Sequence, residues 1–120
     1  MTQEQKDLLL KDLCARLPYG VKISVNDKAE ILQGINTLDN VVEYGSFLSC
    51  GIEEVKPYLF PVSSMTDEQK NEFHKHCFSD MFGILFYTEE TYDWLNANHF
   101  DYRRLIDKGL GIDATGLNIY

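Results

Sequence analysis

The sequence is poor in the residues that staple or anchor a chain. It holds three cysteines, three prolines and one tryptophan in 120 residues. An odd set, Cys14, Cys50 and Cys77, does not read as a disulfide framework, so free thiols and a reducing cytoplasm are expected. No apolar run approaches the ~20 residues of a membrane span. The opening Met1-Thr2-Gln3-Glu4-Gln5 is polar, so no secretory leader is expected either. Basic side chains are scarce: 11 Lys and Arg stand against 19 Asp and Glu, a net charge of −8. That balance argues against nucleic acid and anionic membranes, because phosphate attraction needs a basic face. A basic partner or mimicry of a nucleic acid is compatible with it, and solubility is the simplest use. Glycine-rich phosphate loops are missing as well, since Gly109, Gly111 and Gly116 follow no strand-to-helix pattern.

Apolar residues make up 44% and charged residues 25%. This is a globular composition, and the length suits one domain with its own core, spanning 1–120. Four parts are expected within it: a helix to residue 18, a β part over 19–62, a helical part over 63–110 and a tail over 111–120.

Thr2 and Gln5 have capping-box spacing. Leu9, Leu10, Leu13, Cys14 and Leu17 then recur with helical period, with Lys6, Asp7, Lys11, Asp12 and Arg16 mostly outside the stripe. Pro18 ends the helix. Val21, Ile23 and Val25 alternate with Lys22 and Ser24 as a half-buried strand, and Asn26-Asp27 is a two-residue hairpin turn. Ala29, Ile31 and Gln33 continue the inward face of the returning strand, with Leu32 on the other side and a bulge near Gly34. After a turn at Thr37–Asn40, Val41–Tyr44 and Phe47–Cys50 form a second hairpin around Gly45-Ser46. Gly51–Lys56 reads as one helical turn ended by Pro57, and Tyr58–Phe60 as a last strand. Such strands make a small curled antiparallel sheet, of which an SH3-like half-barrel is one form.

Thr66 and Gln69 open the next helix with a second capping box. Phe73, Cys77, Phe78, Met81 and Phe82 are its expected buried stripe, and Gly83 its stop. Residues 84–87 fit a strand or a connection equally. Thr88 caps a further helix that turns Tyr92 and Leu95 inward. Trp94 to Leu110 then reads as helix, break, helix, stop: Asp101 is an N-cap, Gly109 suits a left-handed stop, and Leu110 folds back onto Leu105. The tail is expected on the surface, pinned by Leu117 and Ile119.

Candidate chemistry is thin. His74 and Cys77 share a helical face beside His76, but a zinc site needs three or four ligands and no second C-x-x-C or H-x-x-x-H supplies them. His99 with Asp101 and a cysteine forms a nucleophile set only on paper, since no signature surrounds any cysteine. Arg103 is spaced to pair with Asp107 and stands beside Arg104, the one adjacent basic pair. Tyr44, Phe47, Tyr58 and Phe60 could present an aromatic platform. No catalytic, cofactor-binding or metal-ligating residue is assigned.

Three segments carry a resemblance: Lys11–Val21, Lys56–Pro61 with Ser63–Thr66, and Trp94–Ile106 with Gly109-Leu110. They resemble a family of short uncharacterised proteins of gut anaerobes, often found in prophage or mobile-element neighbourhoods. The resemblance implies a small cytoplasmic accessory protein and no site residues. The whole sequence therefore points to an α+β fold: N-terminal helix, curled sheet, then a helical part packed on it. The function expected is non-catalytic interaction with a protein partner, without nucleic acid or membrane. An acidic inhibitor or nucleic-acid mimic, and a small enzyme, are the alternatives.

Overall fold

A computed structural model describes all residues, 1–120. Helix α1 runs Gln3–Arg16 from the Thr2–Gln5 capping box, with both reciprocal hydrogen bonds formed. Leu9, Leu10 and Leu13 enter the core as their spacing predicts, but Cys14 is exposed, while Asp12 and Arg16 are fully buried. A single 3-10 turn, Leu17–Tyr19, carries Pro18 and ends at Gly20 in the left-handed region.

The sheet follows. Strands β1 (Lys22–Val25), β2 (Lys28–Asn36), β3 (Val41–Tyr44) and β4 (Leu48–Gly51) form an antiparallel meander. β5 (Val55–Leu59) returns to the free side of β1, giving the order β4-β3-β2-β1-β5. This is the curled, mostly antiparallel sheet expected. Val21, Ile23, Val25, Leu32, Val42, Ile52, Val55 and Leu59 meet α1 in the main core, with Leu105 and Leu110 closing it.

The expected inward face of β2 is reversed. Leu32 is 3% exposed and Ile31 51%. Asn26 and Asp27 both take positive φ, so the turn has two residues, and Val25 lies opposite Lys28. Residues opposite one another share a face, so Val25 inward places Lys28, Glu30 and Leu32 on that face. The bulge is where it was expected, with the register shifting between Leu32 and Gly34. The second hairpin has a three-residue loop, Gly45–Phe47, because Tyr44 pairs with Leu48. Phe47 is thus in the loop, at positive φ and fully exposed. The helical turn before β5 is shorter than expected, Ile52–Glu54, and the strand starts at Val55 with Pro57 inside it. Pairing on the outer side of β5 starts only at Tyr58, so Pro57 sits at an open edge, where a missing N–H costs no ladder bond.

The helical part is half as regular as its pattern suggests. Helix α2 (Asp67–Lys75) starts at its capping box but stops before Cys77. Of the expected stripe only Phe73 is buried. Phe78, Met81 and Phe82 are exposed on a separate hairpin, β6 (Phe78–Ser79) with β7 (Leu85–Phe86). What stops α2 is long-range: the His76 carbonyl accepts from the Thr88 and Thr91 hydroxyls at 2.9 and 2.6 Å. Helix α3 (Glu89–Ala97) follows with Thr88 as N-cap. Its Leu95 packs with Met65, Phe73 and Phe100 in a second, smaller core. Tyr92, expected inward, is half-exposed against Tyr87 and Tyr102.

Residues 101–110 form turns and no second helix, since Arg104 takes a positive φ that breaks helical continuation. The tail is also more structured than expected. Ile112–Asp113 is strand β8, parallel to β5 at its outer edge.

Candidate functional site

The stretch from Trp94 to Gly111 closes the fold. His99, at positive φ, turns the chain onto the end of β5: the Phe60 N–H donates to the His99 carbonyl, and the Asp101 N–H to the Phe60 carbonyl, both at 2.8 Å. Asp101 does act as a cap, although of a loop. Its carboxylate accepts from the N–H groups of Leu105 and Ile106 at 2.8 and 2.9 Å. Gly109 is left-handed, and the N–H of Leu110 reaches the Leu105 carbonyl while that of Gly109 reaches Ile106. Those two bonds are the Schellman pattern, and Leu105 and Leu110 are both core residues, as the sequence predicts. A side chain at Gly111 would meet Leu105 and Leu59 at 3.3–3.4 Å, so the loop lies close against the sheet.

Beneath this loop is a charge cluster that spacing alone did not suggest. Asp12, 0% exposed, accepts from Arg16 Nε through one carboxylate oxygen and from Arg103 Nη1 through the other, both at 2.9 Å. Arg103 therefore pairs across the fold with α1, and not with Asp107. Arg16, also 0% exposed, donates its Nη2 to the Phe100 carbonyl at 2.7 Å. The Tyr102 ring lies against both guanidiniums, 5.4 Å from Arg16 and 4.5 Å from Arg103. One signal was available: 9, 12, 13 and 16 share a helix face, so Asp12 and Arg16 belong with Leu9 and Leu13. Nothing local marks Arg103 as their partner.

His99 and Tyr120 form a second cluster. Their rings stack at 3.8 Å between centroids, 12° from parallel. The Tyr120 hydroxyl accepts from the Lys22 N–H and donates to the Tyr58 carbonyl, at 2.9 and 2.8 Å. Lys22 Nζ donates to the Ile119 carbonyl at 2.6 Å. Tyr120 thus pins the tail, and Leu117, expected to do so, is half-exposed. Burial, then the positive charges of Arg16 and Lys22, lower the His99 pKa to about 4. Burial pushes the Tyr120 hydroxyl up to about 12. No cysteine stands beside this pair: Cys14 is exposed on α1, Cys50 lies in β4, and Cys77 donates its thiol to the Phe73 carbonyl. The nucleophile set of His99, Asp101 and a cysteine is not assembled.

The remaining candidates also disperse. His74 is exposed, and His76 stacks on Trp94 between Glu72 and Glu90. No group of three or more His, Cys, Asp or Glu converges in ligand geometry. The aromatic platform does not form. Tyr58 is buried, Phe60 packs on the second core, Tyr44 on the main one, and Phe47 stands alone in its loop. Two open clefts, of about 570 and 480 Å³, flank the 99–107 loop, the first against Pro61–Ser63 and the second against Tyr120. In the first, the Asp101 carboxylate is already spent on backbone.

One surface is unlike the rest. The β6–β7 hairpin projects an arm whose outward side chains are Phe78, Met81, Phe82, Ile84, Leu85 and Phe86, with Met81 89% and Phe82 81% exposed. Its tip is well formed. Asp80 Oδ1 accepts from the N–H groups of Phe82 and Ile84, both at 2.9 Å, and Gly83 supplies the left-handed position. Phe78, Met81 and Phe82, read as part of a helix stripe, lie instead on this arm, while Phe73 stays on α2 in the second core. No family model, curated protein or solved structure matches the chain.

Proposed function

We propose that this protein is non-catalytic and works by binding another protein, with the β6–β7 arm as its contact surface. The arm carries the proposal: six large apolar side chains, ordered by a tight loop, belong to neither core. Soluble chains rarely leave so many large apolar side chains uncovered on one short segment without a partner for them. Phenylalanine and methionine are also residues enriched in interface centres. The two groups with strongly displaced pKa values, His99 and Tyr120, stack on each other, and the Tyr120 hydroxyl is held by the Lys22 N–H and the Tyr58 carbonyl, so this pair reads as a fastening of the tail. An accessory role in the cytoplasm, of phage or mobile-element origin, goes with this reading on the strength of the sequence resemblance alone.

The test is comparative capture. Wild type and a Met81→Ser/Phe82→Ser variant are immobilised and exposed to lysate of the cells that encode the chain. A protein retained by the wild type and lost by the variant is expected. Identical retention profiles would sink the reading.

A further inference from the structure

The arm is incomplete as a piece of β structure. A two-stranded sheet has two open edges, and an isolated hairpin is marginal in water without a third strand or a covering layer. Here β6 and β7 pair only with each other and stand apart from the six-stranded sheet. The exposed residues from Phe78 to Tyr87 present on the order of 900 Å² of mostly apolar surface over the two faces and tip of the arm, about one partner's share of a standard interface if the two arms clasp each other.

We infer that what covers the arm is a second copy of this chain, related by a two-fold axis, with the two arms packed on each other. This rests on the reading of the arm as an interface and names its partner. Three observations favour a copy over an unlike protein. The patch offers an unlike partner no charged side chain to read: Ser79 turns its hydroxyl to the Asp80 carbonyl, and Asp80 Oδ1 holds Phe82 and Ile84. A uniformly apolar surface with satisfied polar groups is complementary to itself, as a two-fold contact requires. Its extent suits a stable dimer. Acidic side chains, Glu72 and Glu90 beside His76, stand at the base of the arm. In the dimer these rims bring like charges together around an apolar centre. Salt screens that repulsion and leaves apolar burial intact, so self-association strengthens with ionic strength. A basic partner attracted to the same rim would show the opposite trend.

The experiment is sedimentation velocity and equilibrium on the full chain, over a concentration series in ~0.05 and ~0.5 M NaCl, which take the screening length from well above to well below the rim spacing. The wild type is expected as a species of twice 13.9 kDa, with the tighter dissociation constant at high salt. Met81→Ser/Phe82→Ser should weaken it by about 50-fold or more, the loss expected on removing two interface anchors. Because both side chains are exposed, the variant should keep the wild-type circular dichroism, and its melting point should match the wild type at dilutions where both are monomeric, the wild type gaining on it as concentration rises; Phe47→Ser, equally exposed but off the arm, should leave the dimer intact. A wild type that stays monomeric at ~100 μM, a concentration at which even a weak dimer is populated, overturns the inference. So does a dimer untouched by the arm variant, or one that dissociates with salt. If the chain is monomeric yet arm-dependent capture succeeds, only the self-partner fails. If neither association nor capture depends on the arm, the interface reading fails with it.

Discussion

Asp12 is the residue on which the most depends. Its carboxylate is shared by two guanidiniums, one of them fully buried. A buried ion pair adds little compared with an apolar replacement, but removing one partner leaves an uncompensated charge, which costs about 3–5 kcal/mol. Asp12→Ala should therefore lose about that much in urea unfolding, because Arg16 has no route to solvent. Arg103→Ala should cost less, about 1–3 kcal/mol, since its loss leaves one Asp12 oxygen without its donor but Asp12 still paired with Arg16. The reverse order would show that Arg16 is not the committed partner. His99 gives a second prediction at this scale. Its ring titrates near 6.5 in an unfolded chain and near 4 in the fold. Between those values the unfolded chain binds the extra proton, so this contribution is complete above pH 6.5 and is lost as pH falls toward 4. The ring is partly open to solvent, which reduces the effect to about 1–2 kcal/mol. His99→Asn keeps a residue tolerant of positive φ and removes the titration. The stability difference between wild type and this variant should change across pH 6.5 to 4, and a flat difference would refute the assignment.

At the scale of elements, the Trp94–Gly111 stretch is a structural clamp. Leu105 is fully buried at the junction of α1 and β5. Leu105→Ala should cost about 2–5 kcal/mol through the cavity left behind, and Asp101→Ala about 1–2 kcal/mol through two uncapped N–H groups. An unchanged melting point for Leu105→Ala would place that side chain on the surface and end the clamp reading. The chain shows which elements local chemistry decides. The capping boxes at Thr2 and Thr66, the Asn26-Asp27 turn, the Gly34 bulge and the Gly109 stop are each a few neighbouring residues satisfying one another. All were legible. The inward face of β2 was misread from Ile31, although the two-residue turn fixes parity and makes Leu32 inward. What was not legible depends on distant partners: α2 ends because Thr88 and Thr91 claim the His76 carbonyl, and the tail becomes a strand because β5 has a free edge. Arg103 faces Asp12 from 91 residues away. The arm was misread for a related reason. Apolar residues at 73, 77, 78, 81 and 82 fit a helix stripe, and periodicity cannot distinguish a face that is covered from one that is presented.

At the scale of the molecule, the Asp12–Arg16–Arg103 network ties α1 to the loop that closes the main apolar cluster, and the second cluster adjoins it through Phe100. No helix is long and apolar enough to cross a membrane. Part of the positive charge behind the net −8 is engaged within the fold. Arg16 is buried, Arg103 is held by Asp12, Lys6 pairs with Glu53 at 2.7 Å, and Lys22 is drawn to the Ile119 carbonyl at 2.6 Å. The adjacent pair Arg103-Arg104 thus offers solvent one free guanidinium, not two. Duplex DNA binding requires several cations arranged along a phosphate track, each releasing counterions on contact. The net charge of −8 repels phosphate at a distance. In a mobility-shift titration at ~0.15 M salt, where the screening length is about 8 Å, the protein should leave a duplex unshifted. Lowering the salt should not rescue binding, because weaker screening strengthens net repulsion as much as any local attraction. Sub-micromolar binding, or affinity that rises steeply as salt is removed, would mean that a basic track exists and that the pairings of Arg103, Lys6 and Lys22 open in solution.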